Sequence, residues 1–239
     1  METTDREISR RTRRSFLTGG IAAAAGFGAW IWIRNSFSEG GIPRPLRRAE
    51  EADDLFSHAL FSETRLAKTF AAADIGEARE NGKIGIEDEP APDWKLEIEG
   101  ANPIPLDRIK ALPKVEQITQ FKCIEGWDYI MKWGGAKFSD FAAAHAPSGA
   151  IRKPWVGLET PDGEYYVGLD RATAMHPQTL LAYEMNGQPL TNEHGAPLRL
   201  LIPVKYGIKN LKRIGKITFG DARPRDYWAE NGYDYDSGF

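Results

Sequence analysis

The sequence predicts an α+β fold with a mixed sheet, open or barrel-like, in one domain. Three observations carry this. Short strand-like runs mix irregularly with short helix-like ones. Turn signals, Pro161-Asp162-Gly163 and Asn186-Gly187, separate runs of apolar alternation. About 200 residues follow an N-terminal apolar segment, enough for one domain with a sizeable core.

Residues 1–34 form that segment. Arg10-Arg11-Thr12-Arg13-Arg14-Ser15-Phe16-Leu17 is basic, and Phe16 to Ile33 carries no charge. This is the layout of a bacterial export signal, and Thr12 to Leu17 looks like its twin-arginine version, which implies the twin-arginine export machinery as a partner. The competing reading is a basic-flanked N-terminal anchor. No clean Ala-x-Ala site follows the apolar stretch, so an uncleaved segment holding the protein to the inner membrane stays open. Either way the bulk of the chain is expected in the periplasm. Residues 35–54, with Gly40-Gly41, Pro43, Pro45 and mixed charges, read as a linker, and residues 55–239 as the domain.

Within the domain, Trp94 to Gly100 alternates apolar and charged residues and reads as a half-buried strand. Lys137 to Ala146 reads as a helix with Ser139 as N-cap and Pro147 beyond its end. Trp155 to Thr160 and Tyr165 to Leu169 read as strands around the Pro-Asp-Gly turn. Ala182 to Leu190 is a hairpin, because Asn-Gly tolerates the positive φ of a tight turn. Leu198 to Val204 is an apolar strand interrupted by Arg199.

Net charge is −3. Residues 1–34 hold six basic and three acidic groups, leaving 25 basic against 31 acidic in the remainder. That excess of acid argues against nucleic acid as a partner.

Cys123 is the only cysteine. It excludes an internal disulfide, a Cys-rich zinc site and an iron–sulfur cluster. It leaves a nucleophile, a redox sensor, an inert core thiol, or the single protein ligand of a metal held mainly by something else. Glu125 lies two residues on and, in an extended segment, would share the thiol's side. A carboxylate there can act as a general acid or base. Trp127 reads as a packing residue. From Arg199 to Gly220 the chain carries Arg199, Lys205, Lys209, Lys212, Arg213 and Lys216 without an acid. Such a run is ordinarily a solvated face. Arg199, however, sits in an apolar strand and therefore calls for an anionic partner.

Cys123-Ile124-Glu125-Gly126-Trp127, Gly195-Ala196-Pro197-Leu198-Arg199 and Lys205-Tyr206-Gly207-Ile208-Lys209-Asn210-Leu211-Lys212 together resemble the sulfite oxidase family of molybdenum enzymes, over about residues 60–235. The resemblance implies that family's mixed-sheet molybdopterin-binding fold and a molybdenum–molybdopterin cofactor (Mo). It implies Cys123 as metal ligand and, with Glu125, as catalytic residue. Asn81, Thr160, His194, Arg199, Asn210, Leu211 and Lys212 then map to cofactor-binding positions. His145 and His176 have no assigned task, His176 being structural or at the pocket edge. Lys122 departs from the arginine usual before the cysteine, which weakens sulfite as substrate, since lysine lacks the bidentate fork suited to an oxyanion.

The chain's end shortly after Phe219 leaves no room for an immunoglobulin-like domain. The resemblance is thus to the short exported branch that includes periplasmic methionine-sulfoxide reductases. The expected activity is oxygen-atom transfer on a small-molecule substrate, chiefly reduction of a sulfoxide or related S- or N-oxide. The alternatives are a sulfite dehydrogenase and a non-catalytic periplasmic binding protein. There is no haem-attachment, iron–sulfur or Rossmann motif. Electrons must therefore come from a separate electron-transfer protein, either a membrane haem subunit or a soluble cytochrome. The aromatic, acidic tail from Tyr227 to Asp236 either packs over the fold or forms part of that docking surface.

Overall fold

The computed structural model describes residues 2–39, 41–60, 62 and 64–238. It divides into two units, residues 1–52 and 53–239.

The first unit begins with helix α1 (Glu2–Arg34). Its portion Arg10–Arg34 is long and apolar enough to cross a membrane, a property signal sequences share. A two-residue hairpin of β1 (Ser38–Glu39) and β2 (Ile42–Pro43) follows. Helix α2 (Arg44–Leu60) then runs through residues expected as linker and across the division between units. The helix forms there because Ala49, Glu50, Glu51 and Ala52 are strong helix formers. Arg47 also pairs with Glu50 one turn on, at 3.0 Å.

The second unit is built on β3 (Lys95–Ile98), β4 (Ile104–Pro105), α3 (Leu106–Lys110), β5 (Lys114–Lys122), β6 (Asp128–Lys137), α4 (Phe138–His145), β7 (Trp155–Glu159), β8 (Tyr166–Asp170), α5 (Arg171–Ala174), β9 (Leu180–Met185), β10 (Gln188–Pro189), β11 (Arg199–Leu201), β12 (Lys216–Gly220) and α6 (Tyr227–Glu230). They make two five-stranded sheets. One runs β10-β9-β6-β5, with β11 also on β9, and is antiparallel throughout. The other runs β4-β3-β12-β7-β8 and is mixed, since β12 lies parallel to β3 and antiparallel to β7.

The periodicities explain these faces. β3 alternates exposed and buried residues, with Leu96 and Ile98 inward. β9 begins with four consecutive buried residues. Leu181 and Tyr183 enter the larger core, with Val156, Leu158, Val167, Leu169, Ile217, Phe138 and Phe141. Leu180 and Ala182 join a second core with Tyr129, Met131 and Trp133. Each fully buried side chain of this kind contributes roughly 1.5–3 kcal/mol. The β9–β10 turn is the Asn-Gly turn read from the sequence, with φ of 54° at Asn186 and 77° at Gly187.

Two local expectations change. Lys137, with no side-chain hydrogen bond, caps α4, and Ser139 lies inside the first turn. The strand expected over Leu198 to Val204 shortens to β11, because Pro203 has no N–H to continue a ladder.

Candidate cofactor site

The long β5–β6 hairpin carries Cys123 at its tip. Strand pairing ends at Lys122–Asp128. The five residues between them close with Cys123 N–H donating to the Trp127 carbonyl (2.9 Å) and Gly126 N–H to the Cys123 carbonyl (3.1 Å). The segment is a turn, not the extended run expected, yet Cys123 and Glu125 line one cleft.

The Cys123 thiol is partly buried, and burial pushes its pKa up. The backbone N–H of Glu125 and the Asn81 side chain act in the opposite direction. A thiol held neutral is a poor nucleophile and a poor redox sensor. Glu125 is fixed at one oxygen. Its Oε2 accepts from Asn81 Nδ2 (3.2 Å) and from Trp127 Nε1 (2.8 Å). Trp127 therefore orients the carboxylate as well as packing. Among the described residues no three His, Cys, Asp or Glu side chains gather as a metal site. A metal at Cys123 would have to bring most of its ligands with it.

Arg199 lines the same cleft and is 1% exposed. Its guanidinium donates to the carbonyls of His194 (3.1 Å) and Asn210 (3.4 Å). It also lies over the rings of Trp133 and Phe121, at 4.9 and 5.6 Å. No carboxylate pairs with it among the described residues, and Nε has no partner there. The anion expected for Arg199 is thus not a side chain among the described residues.

The basic run is dispersed. Lys205 pairs with Asp236, Lys209 with Asp226 and Lys216 with Glu159. Arg213 is spent on the carbonyls of Ala196 and Asp88 and on the Asn192 side chain. Only Arg199 and Lys212 of the six reach the cleft. Lys212 Nζ donates to the carbonyls of Asn81 (2.7 Å) and Gly82 (3.0 Å). Burial, with Arg199 nearby, lowers its pKa to about 8. The amide N–H groups of Leu211, Lys212 and Arg213 have no acceptor among the described residues. Arg213 has φ of 47°, the left-handed twist of backbone nests that bind anions. Gly195, at φ of 93°, lets its loop approach this turn, where a Cβ would come within 2.9 Å of the Arg213 nitrogen.

The other expected residues fall as follows. Asn81 stands beside Cys123 and Glu125. Asn210 lines the cleft, but its side chain braces the loop, accepting from Ile202 N–H (2.6 Å) and donating to the Tyr206 carbonyl (3.0 Å). The Leu211 side chain is fully buried in the larger core, so only its backbone can serve a ligand. His194 is not a cleft wall. It is 6% exposed beside Arg199, and burial followed by the Arg199 and Lys212 charges lowers its pKa to about 4. Thr160 does not reach the cleft. It is 1% exposed, its hydroxyl hydrogen-bonds Asp162 and the backbone of Tyr165, and it braces the β7–β8 turn. His176 is structural, bonded to the Arg65 carbonyl and the Gln178 N–H. His145 sits at the end of α4 with a buried, unpartnered Nε2.

The sequence reading missed the aromatic wall. Phe121, Trp127 and Tyr129 stack along the hairpin. Tyr165, Trp228 and Tyr233 also line the cleft. Aromatic density in the tail was visible, but what it faces depends on non-local packing. Asp226 and Asp236 anchor that tail to Lys209 and Lys205, so it packs over the fold.

Similarity to known proteins bears on this cleft. A subunit of Azospira oryzae, provisionally named protein-methionine-sulfoxide reductase subunit YedZ1, is 35% identical over 161 residues, covering 66% of this chain and 60% of its own. The protein-methionine-sulfoxide reductase catalytic subunit MsrP of Ralstonia nicotianae is 33% identical over 162 residues, covering 59% of this chain and 49% of its own. This chain thus spans about half to three-fifths of these relatives' length. The crystal structure of the sulfane dehydrogenase SoxCD from Paracoccus pantotrophus superposes with a TM-score of 0.51 at 18% identity, over 57% of this chain and 40% of that one. That likeness supports the mixed α+β fold. The oxidoreductase molybdopterin-binding domain matches residues 82–228, more than half of the chain. This protein is therefore a member of the oxidoreductase molybdopterin-binding domain family, the sulfite-oxidase-type enzymes that carry molybdenum–molybdopterin.

Proposed function

We propose that this protein reduces a sulfoxide, or a related S- or N-oxide, with electrons from a separate redox protein. The observation that carries the reading is the pairing of a lone thiol and a fixed carboxylate with a buried arginine lacking an anion, all on one cleft.

The residues fit the family's cofactor. The unpartnered Arg199 Nε, the Lys212 ammonium and the free amides of Leu211 to Arg213 suit its phosphate end. His194, buried off the cleft wall, would position Arg199, whose guanidinium donates to its carbonyl, and the Asn210 backbone completes the loop. Cys123, as thiolate, would hold the metal, which fits a site with no other cluster of protein ligands. Thr160 has no part in this assignment. When bound, the cofactor supplies a metal that exchanges an oxygen atom with substrate as it passes between oxidation states.

Balance for reduction requires sulfoxide, two protons and two electrons to give thioether and water. Glu125 is the proton donor to the departing oxygen. Its Oε2 is held by Asn81 and Trp127, which leaves Oε1 to carry the proton. The aromatic walls of the cleft exclude water around the substrate. The relatives' names point to protein-bound methionine sulfoxide as the substrate class, and either a membrane haem subunit or a soluble cytochrome fits as electron donor. Export by the twin-arginine route to the periplasm, with α1 as signal or uncleaved anchor, accords with the basic segment before the apolar helix.

The test is turnover by holoprotein loaded in a molybdate-fed host. Sulfoxide-dependent oxidation of a reduced viologen dye is the expected result. Sulfite-dependent reduction of an electron acceptor, with no sulfoxide turnover, would reverse the assignment.

A further inference from the structure

We infer that Trp228 and Tyr233 form a substrate-selecting wall that favours uncharged, hydrocarbon-flanked sulfoxides over oxyanions. The inference rests on the sulfoxide reading of the same cleft and assigns its selectivity to residues of the C-terminal segment.

Both side chains line the cleft that contains Cys123 and Glu125. Their rings meet edge to face at 5.1 Å, and Trp228 meets Tyr227 at 5.2 Å in the same way. Tyr233 is nevertheless 42% exposed, and Trp228 is only half-buried. Large aromatic surface left open on the cleft that holds Cys123 and Glu125 is surface available to a ligand.

The wall is also held in place. Asp226 caps α6, its Oδ1 accepting from the Ala229 N–H (3.1 Å). Its Oδ2 accepts from the Gly168 N–H and from the buried Lys209 ammonium. The turn after α6 closes with Tyr233 N–H donating to the Trp228 carbonyl (2.9 Å). A preformed wall of this kind orders few side chains when a ligand arrives.

Charge in the cleft sets the selectivity. Arg199 and Lys212 are bonded to backbone carbonyls and assigned to the cofactor's phosphate. Glu125 puts a carboxylate next to the thiol. Arg79 lies over Trp127 at 4.9 Å and is not among the cleft-lining residues. Among the described cleft-lining residues a sulfite ion finds no cation besides Arg199 and Lys212. Arg79, whose charge reaches Cys123, is engaged over Trp127, so the surface left to a ligand is chiefly aromatic. A neutral sulfoxide buries its hydrocarbon arms on Trp228 and Tyr233 and brings its sulfur against the rings, where sulfur–aromatic contact is favourable.

The experiment is calorimetric titration of full-length holoprotein with the sulfoxide of N-acetylmethioninamide and, separately, with sulfite. Trp228→Ala, Trp228→Phe and Tyr233→Ala are compared with the wild type, each checked for its melting temperature. Trp228→Ala should weaken sulfoxide binding about tenfold while sulfite binding shifts less than about twofold, and Trp228→Phe should retain most of the sulfoxide affinity. The wall is overturned if the wild type binds no sulfoxide, if Trp228→Ala leaves sulfoxide binding intact, or if both ligands weaken alike. Viologen-driven turnover on the same samples separates the two claims. Trp228-dependent binding without turnover sustains the wall and refutes the reduction. Turnover with Trp228-independent binding does the reverse.

Discussion

Asp226→Asn tests whether the buried pair with Lys209 holds the tail to the domain. Both side chains are at most 2% exposed, and Lys209 Nζ lies 2.5 Å from Asp226 Oδ2. Asparagine has one carbonyl oxygen where Asp226 uses two, so it keeps either the Ala229 or the Gly168 N–H bond, and the substitution removes the charge and one accepted hydrogen bond. Lys209 is left with the Gly168 carbonyl at 3.0 Å and the Tyr235 ring at 4.0 Å. Breaking one partner of a buried pair costs about 3–5 kcal/mol. For a domain of this size that is a melting-point loss of roughly 6–20 °C. The pH dependence follows from the direction of the Lys209 shift. Burial lowers its folded pKa below the unfolded value, and losing Asp226 lowers it further. The unfolded state then binds more protons between those two pKa values, so stability rises with pH across that window. The penalty of Asp226→Asn should therefore be larger at pH 6 than at pH 9. Thermal circular dichroism of the full chain in mild detergent measures it. Lys209→Met combined with Asp226→Asn should recover the part of the loss that comes from the uncompensated charge, leaving the cost of the one lost hydrogen bond. A single variant melting within about 1 °C of wild type, or no recovery in the double variant, would refute the reasoning.

Two further outcomes follow from the same accounting. In cofactor-free protein the His194 pKa is held to about 4 by burial and by Arg199 and Lys212, with Glu193 opposing. Unfolded histidine titrates near 6.5, so this contribution is intact above that pH and is lost as the pH falls toward 4, amounting to about 2 kcal/mol at pH 5. Since the pKa values of His145 and His176 are lowered too, the readout is the difference in acid stability between wild type and His194→Asn; equal acid sensitivity would exclude the assignment. Arg199→Met should leave the cofactor-free fold as stable or slightly more so, because it removes a buried charge that no carboxylate compensates. The same variant should lose cofactor at least about tenfold faster in dialysis against metal-free buffer, as expected for a lost charge-assisted contact. Unchanged retention would contradict Arg199 as an anion anchor.

What the sequence made legible was local. The Asn186-Gly187 turn, β3 and α4 follow from turn chemistry and periodicity within a few residues. The Cys123–Glu125–Trp127 cluster is compact enough that side chains two and four apart stayed together even in a turn. Partnership across the chain was not legible. Periodicity says which face is buried but not against what, so the parallel pairing of β12 with β3 could not be read. For the same reason the basic run read as a solvated face, when Lys205 and Lys209 are buried against the tail acids Asp236 and Asp226. Thr160 looked available because its hydroxyl's partners, Asp162 and Tyr165, depend on the closed turn. Arg199 was legible as a misfit, and it stays one among protein groups.

The central claim is that Cys123 is a metal ligand beside a cofactor-borne set of sulfurs. X-ray absorption at the molybdenum edge, on wild type and Cys123→Ser matched for molybdenum content, tests it most directly. The account predicts that the variant loses a sulfur from the metal's shell and gains an oxygen or nitrogen scatterer in its place. An identical sulfur shell in the two proteins would contradict it.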